Sequence, residues 1–506
     1  MKLREVLWWC APAFVVAFVL RALLSTAMPF AYVQHDSSRL LIAPEAWFVV
    51  GPTDTFSDTV PPLVPSLCRL AQRGPIPALV AIQLVQHALG LLQVLIAGAL
   101  VRLWFVRWKW WIIPATILFA VHPSFLWFEH TVMLETAYVF ALMLLALAGT
   151  WLLRAPSLPA AGVVCGALLL VAFTRPEGKL FAAFGALALV VAFWKDWRSL
   201  AASAAIFAAT LAGIALGTVP GESGLLLYSS VLHLSPETPR KFPEVAPYVA
   251  TLRREAIESA KQGPAFVSRP QREALEAVLG RYVQEHPGAG RGENISRRVN
   301  AVAKSLAFET CLRAPWSLVP LAAQKFRATA DELANGRLNG AWLHERQISR
   351  LSAAWIYVQP IAPGLYGRAF TDRDGMAAFI KASFPPGRVA WFEWLHEAWG
   401  EFYDRRLPDT RFQGDRLHGL PWVYLIALAG ATAAVLRALP TRRFQVCWVL
   451  MLGGLWFVVM VTANERARFR MGFEPFVFLY LLVALDEVAT VVARISRGLR
   501  SRLSRS

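Results

Sequence analysis

The stretch AVHPSFLWFEHTVMLETAYVFALM, residues 120–143, is apolar at most positions yet carries Glu129, His130 and Glu135. It lies inside a longer apolar block, 111–153, and how that block is divided decides the fold. Two readings are open: two spans, 111–128 and 132–153, joined by a tight turn near 129, or a broken or re-entrant pair. Both require lipid around them, because covering about 30 Å of hydrocarbon takes about 20 apolar residues.

Runs of that length recur on either side. The apolar runs expected as helices are 6–28, 77–101, 111–128, 132–153, 158–174, 179–194, 199–218, 419–437, 444–463 and 472–492. Of the 506 residues, 56% are hydrophobic and only 17% charged, below the quarter usual in soluble domains. Mean hydropathy is +0.45. The expected architecture is an all-α polytopic membrane protein of about ten transmembrane helices, with amphipathic helices outside the membrane and one large external helical segment. It divides into a transmembrane module at 1–218 with a first external loop at 29–76, an external segment at 219–418, and C-terminal transmembrane helices with a basic tail at 419–506. The first run follows MKLRE but has no small-x-small cleavage pattern, so it is read as a retained helix.

Net charge is +17. In a soluble protein this would suggest nucleic acid. Here the charge follows the loops, and no nucleic-acid partner is expected. MKLRE, VRLWFVRWKWW, LLRAPS, WKDWRS, RALPTRR and the tail RISRGLRSRLSRS alternate along the chain with less basic connections. The positive-inside rule puts that set in the cytoplasm. The chain is then a multi-pass protein of the inner (plasma) membrane, with both termini inside and its site facing the periplasm or exterior. Segment 29–76, TRPEGK (174–179), segment 219–418 and NERARFR (464–470) fall outside. No P-loop or dinucleotide fingerprint is present, and PGAGRGE lacks the lysine of a phosphate cradle. Cys10, Cys165 and Cys447 lie in apolar runs as packing residues. Cys68 and Cys311 fall in segments expected to be exposed, which leaves a disulfide between them open.

Three groups could carry chemistry. His35 and Asp36, in HDSSR, follow the first helix at the outer surface. Asp36 is either a general base or the cap of a helix starting at Ser37 or Ser38. Glu129, His130 and Glu135 are ionisable groups at or just inside the outer boundary. Such groups line a cavity or hold a partner, which could be one of the outer arginines. Arg175, Lys179, Arg466, Arg468 and Arg470 are outer cations placed against the orientation rule. Arginine forks suit phosphate oxygens, while Glu177, Glu465 and Glu474 supply partial neutralisation.

HDSSR, TVPPLVPSLCRL, HPSFLWFEHTVMLETAYVF, GALLLVAFTRPEGKLF and NERARFRMGFEPFVFLYLL occur in that order. Together they resemble the GT-C superfamily of polyprenyl-phosphate-sugar glycosyltransferases. Within it, they are nearest the bacterial mannosyltransferase-like group related to protein O-mannosyltransferases and lipid A aminoarabinose transferase. The likeness covers roughly 1–195 and 440–490.

The resemblance implies transfer of a sugar, with inversion, from a polyprenyl-phosphate donor to a glycan, lipid or protein acceptor at the periplasmic face. Asp36 matches the family's catalytic base and Glu135 its second acid, which orients the site. Some relatives also hold a divalent metal there (Mg or Mn). Arg175 and Arg468 match basic positions near the donor phosphate. The rival readings are a transporter or flippase for a lipid-linked saccharide, and an O-antigen polymerase or ligase.

Overall fold

The computed structural model describes residues 3–33, 37–41, 63–104, 109–175, 178, 185, 188–190, 192–217, 223–262, 269–290, 295–323, 359–383, 387–404, 422–438, 471–472 and 474–503. Those residues are helical throughout, apart from turns and one isolated parallel bridge, Tyr32–Thr131. The chain is an all-helical, multi-pass membrane protein. Among the described residues, four helices are long and apolar enough to span a bilayer: α1 within Leu3–Ala27, α4 (Ala78–Trp104), α7 (Glu135–Arg154) and the first part of a C-terminal helix, Glu474–Leu503. The short helices α2 (Ser37–Leu41) and α3 (Leu63–Gln72) lie between α1 and α4. The expected span at 444–463 lies outside the described residues.

Within 111–153, α7 is one continuous candidate span, as the two-span reading expects, while the segment before it is bent. Helices α5 (Ile112–Val121) and α6 (Pro123–Glu129) meet at 51°. Pro123 is the cause. It offers no N–H to continue the ladder, and it drives His122 into an extended conformation (φ −65°, ψ 115°). The His122 ring then accepts the Ser124 N–H at 3.2 Å and caps α6. The same rule ends α8 (Leu158–Thr174): Arg175 precedes Pro176 and is extended, with φ −146° and ψ 147°.

Helix α1 shows how the bundle is sorted without a polar face. Val6, Cys10, Ala13, Ala17 and Leu24 recur at helical spacing and are buried, while Trp8, Val15, Phe18 and Val19 are exposed. Small residues permit close approach to α4, where a Cβ on Gly98 would overlap the Cys10 thiol. On its buried face α4 carries Gln83, Gln86, His87, Gly90 and Gln93. Gln86 donates to the Met133 carbonyl (3.2 Å) and Gln93 to that of Thr136 (3.1 Å), fastening the α6–α7 turn to α4.

Arg21 lies six residues before the end of α1, about 9 Å along the helix. It is buried and grips Glu129 with two bonds, Nε to Oε2 at 2.7 Å and Nη2 to Oε1 at 2.5 Å. Its Nη1 donates to the Ala17 carbonyl at 3.0 Å. His87 Nδ1 lies 3.1 Å from Glu129 Oε2, and His130 Nδ1 lies 3.4 Å from His87 Nε2. Gly90 makes room for the acid, since a Cβ there would overlap the Glu129 carboxylate.

Further along the chain, α9 (Trp197–Gly217) packs on α8, and α10 (Ser223–Val231), α11 (Val245–Gln262), α12 (Arg269–Glu285) and α13 (Ile295–Arg313) form a helical cluster. There Arg298 donates to the carbonyls of Val283, His286 and Ala289 and so caps α12. An apolar band, Phe308, Leu312, Trp316 and Val319, stands exposed on this cluster. Helices α14 (Ala362–Tyr366) and α15 (Arg373–Ser383) share a second core with α2, α3 and the start of α4. Cys68 belongs to that core and is almost fully buried, which corrects its expected exposure. Cys68 and Cys311 are both free thiols, so the open disulfide is not formed.

Helix α16 (Ala390–Asp404) packs on α6, and α17 (Trp422–Ala438) pairs with α18 (Glu474–Leu503). Trp399 of α16 meets both the His122 ring (5.0 Å) and Phe478 (6.1 Å). Burial, with a smaller contribution from the His122 charge, pushes His396 down to about 4.

Two expectations follow. A neutral His396 stabilises the fold fully above its ordinary value of about 6.5, and that stabilisation is lost as pH falls towards 4. Thermal unfolding in detergent should show a loss of about 3 kcal/mol over that window, and His396→Phe should flatten it. Arg21→Met leaves Glu129 buried without its cation and should cost about 3–5 kcal/mol. Adding Glu129→Leu should recover much of that loss. A double variant as unstable as the single one would show that the pair does not pin the bundle.

Candidate functional site

The chain leaving α1 folds back on the α6–α7 turn. Tyr32 donates its N–H to the His130 carbonyl at 2.7 Å, and Val132 returns one to the Tyr32 carbonyl at 2.9 Å. On the far side of residues 34–36, Ser37 Oγ donates to the Val132 carbonyl at 2.7 Å. The described residues on both sides of 34–36 therefore attach to one turn, which begins where Arg21 holds Glu129 and ends where Glu135 opens α7. His35 and Asp36 themselves, with Lys179, Arg466, Arg468 and Arg470, lie outside the described residues.

Glu135 and Arg175 come together. Both are almost fully buried, and Glu135 Oε1 lies 3.5 Å from Arg175 Nη1. The Arg175 guanidinium also lies over the Tyr138 ring, 5.1 Å from its centre and one turn along α7 from Glu135. An anion and an aromatic face together fix the direction of a cation that carries the fork geometry of a phosphate ligand. Gly178 donates to the Arg175 carbonyl at 3.0 Å, closing the turn after α8.

The C-terminal motif enters at the same place. Gly472, two residues beyond Arg470, sits on the Tyr138 ring and beside Leu142, and a Cβ there would press on both. Tyr138 thus touches the segments that follow α8 and precede α18. No residue reading singled it out. The available signal was its position three residues after Glu135, on the same helical face.

Glu129 and His130 fall into a different group from Glu135. Their partners are Arg21 and His87, so the acid and histidine offered as supporting site residues form a buried polar chain behind the turn. A second group was also missed. His122 lies 3.7 Å from Glu474, and Tyr424 donates to Glu474 at 3.0 Å, which ties α6 to α17 and α18. Glu474, counted above as a neutraliser of the outer arginines, is fully buried in this contact.

The described residues do not fit a divalent metal. Among them, no three His, Cys, Asp or Glu side chains gather at ligand spacing, and Glu135 has an arginine beside it.

No protein-family model matches the chain, and no curated protein matches it. Solved structures of two membrane proteins are among those that align with it. The crystal structure of the Archaeoglobus fulgidus oligosaccharyltransferase in its apo form shares 14% identity over 98% of this chain and 52% of that one, with a TM-score of 0.44. The crystal structure of ArnT from Cupriavidus metallidurans, bound to undecaprenyl phosphate, shares 13% identity over 92% of this chain and 78% of that one, with a TM-score of 0.30. The chain spans about half the length of the first of these.

Proposed function

We propose that the chain is an integral membrane glycosyltransferase of GT-C type, which moves a sugar from a polyprenyl-phosphate donor to a periplasmic or lipid-linked acceptor. The observation that carries this reading is the Glu135–Arg175 pair on Tyr138, with Gly472 against the same ring. Three of the five motif segments meet in it, the start of α7, the end of α8 and the lead into α18, and Tyr32 and Ser37, on either side of 34–36, bond to the turn just before Glu135. A buried arginine fixed at one end of an apolar bundle suits a substrate whose phosphate stands at the membrane surface while its prenyl chain lies in lipid.

In the proposed reaction the acceptor hydroxyl oxygen attacks the anomeric carbon from the face opposite the phosphate. The new glycosidic bond forms as the carbon–oxygen bond to the phosphate breaks, and the electron pair leaves with polyprenyl monophosphate. Asp36 takes the hydroxyl proton. Arg175 stabilises the growing phosphate charge from a fixed position, so little reorganisation accompanies the reaction. Glu135 acts through Arg175 and is a positioning residue. Lys179, Arg466, Arg468 and Arg470 supply the remaining positive charge at the mouth.

The test uses purified full-length chain, a panel of polyprenyl-phosphate sugars and candidate acceptors. Asp36→Ala should lower turnover by about 10²–10⁴-fold, the usual contribution of a general base, with little change in donor KM. Arg175→Lys keeps the charge but loses the fork, and should raise donor KM while also lowering kcat. Glu135→Gln should behave like Arg175→Lys, in keeping with a shared role. Undiminished transfer by Asp36→Ala would remove the base, and movement of the lipid-linked sugar without transfer would favour the transporter.

A further inference from the structure

The far end of α7 carries a second basic site that the transfer reaction does not use. Helix α7 runs twenty residues from Glu135 to Arg154, about 30 Å, so Arg154 stands at the opposite edge of the hydrocarbon layer. There the ends of α4 and α7 and the start of α8 enclose a cavity of about 520 Å³. Its walls include Leu144, Leu147 and Val163, and its polar lining includes Arg102, Thr150 and Arg154. No acidic side chain is among the described lining residues. Thr150 is already engaged, accepting from Trp104 Nε1 at 2.7 Å and donating to the Ala146 carbonyl at 2.7 Å. Trp151 and Val163, which also line the cavity, are exposed on the lipid-facing surface.

Ordinary loop arginines of the positive-inside kind extend into water and need no cavity. Here both cations line one cavity, Arg102 half-buried and Arg154 exposed, so that their like charges share one space. Arg102 Nε is buried and makes no hydrogen bond among the described residues. An anion between the guanidinium groups would offset the repulsion and accept from that N–H. The leucine and valine wall suits a hydrocarbon chain that continues from the anion into the bilayer.

We propose that this cavity binds the phosphate group of a membrane lipid of the leaflet opposite the Glu135–Arg175 site, held between Arg102 and Arg154 with its chain against Leu144, Leu147 and Val163. It is a second phosphate site, separate from the donor site and standing whether or not the chain transfers sugars.

The test uses full-length protein in nanodiscs of zwitterionic lipid, with a trace of phosphatidylglycerol carrying a photoreactive group near its phosphate. Cross-links should map to the ends of α4 and α7. Arg102→Gln with Arg154→Gln should weaken labelling there at least about tenfold, the equivalent of one charge-assisted hydrogen bond. Leu147→Trp fills the cavity while keeping both arginines and should have the same effect, which guards against misfolding of the doubly neutralised chain. Labelling unchanged in both variants would overturn the proposal. Displacement of the label by millimolar inorganic phosphate alone would reassign the cavity to a free anion and overturn the lipid reading.

Discussion

The bundle depends on the Arg21–Glu129 ion pair. An arginine or a glutamate alone in hydrocarbon is costly, and neither can be relieved by water at that depth. Each therefore requires the other, and the requirement is geometric. Arg21 is fixed along α1 by its own helix and by the Ala17 carbonyl, so Glu129 must end α6 at that level. The space for it exists because position 90 has no side chain. His87 takes the remaining direction around the carboxylate. In a low-dielectric interior such a network tolerates few arrangements, and here it fixes where the α6–α7 turn begins.

From that turn the outer end follows by short covalent steps. One residue after Glu129, the His130 carbonyl receives the Tyr32 N–H, and Val132 receives Ser37. Three residues further on, Glu135 starts α7 and meets Arg175, which Pro176 has turned out of the helical path. The device is economical because proline sets the direction at both ends. Pro123 turns the chain so that α6 can bring Glu129 to Arg21, and Pro176 releases Arg175 from α8. Neither position needs a long loop, so the acid and the cation arrive on rigid elements.

Much of this was legible in the sequence. The apolar runs gave the class and most of the helices, while HPS within 111–153 was an unused signal for the bend, since the residue before proline resists helix. Glu135 and Arg175 were both singled out, and a buried acid paired with an outer arginine was one of the readings left open. The partners were not legible. Arg21 and Glu129 are separated by 108 positions and His122 and Glu474 by 352, and no periodicity links residues on different helices. The glutamines of α4 were a missed signal. Three amides and a histidine at helical spacing inside an apolar span indicate a face that bonds to another segment's backbone, whatever that segment is. Cys68 was misread because a short amphipathic helix outside the membrane looks exposed until a second core is built around it.

The two buried arginine–carboxylate pairs differ in a way that bears on their roles. Glu129 takes Arg21 through two short parallel contacts, the geometry that uses a guanidinium most completely. Glu135 offers Arg175 a contact of 3.5 Å, longer than charge-assisted hydrogen bonds of about 2.7–2.9 Å, and the guanidinium also lies over the Tyr138 ring. A pair built only for stability gains from the first geometry. The second geometry is the one that suits the role proposed for Arg175, because a more distant carboxylate balances the charge while gripping the guanidinium less tightly. Proximity to Tyr138 then matters for direction, since a ring face constrains where the guanidinium plane lies and accepts no strong hydrogen bond. The same reasoning separates the charges at the other end of α7. Arg102 and Arg154 line a cavity whose described lining holds no acid, and a lipid phosphate there would meet two forks without competing with a carboxylate of that lining.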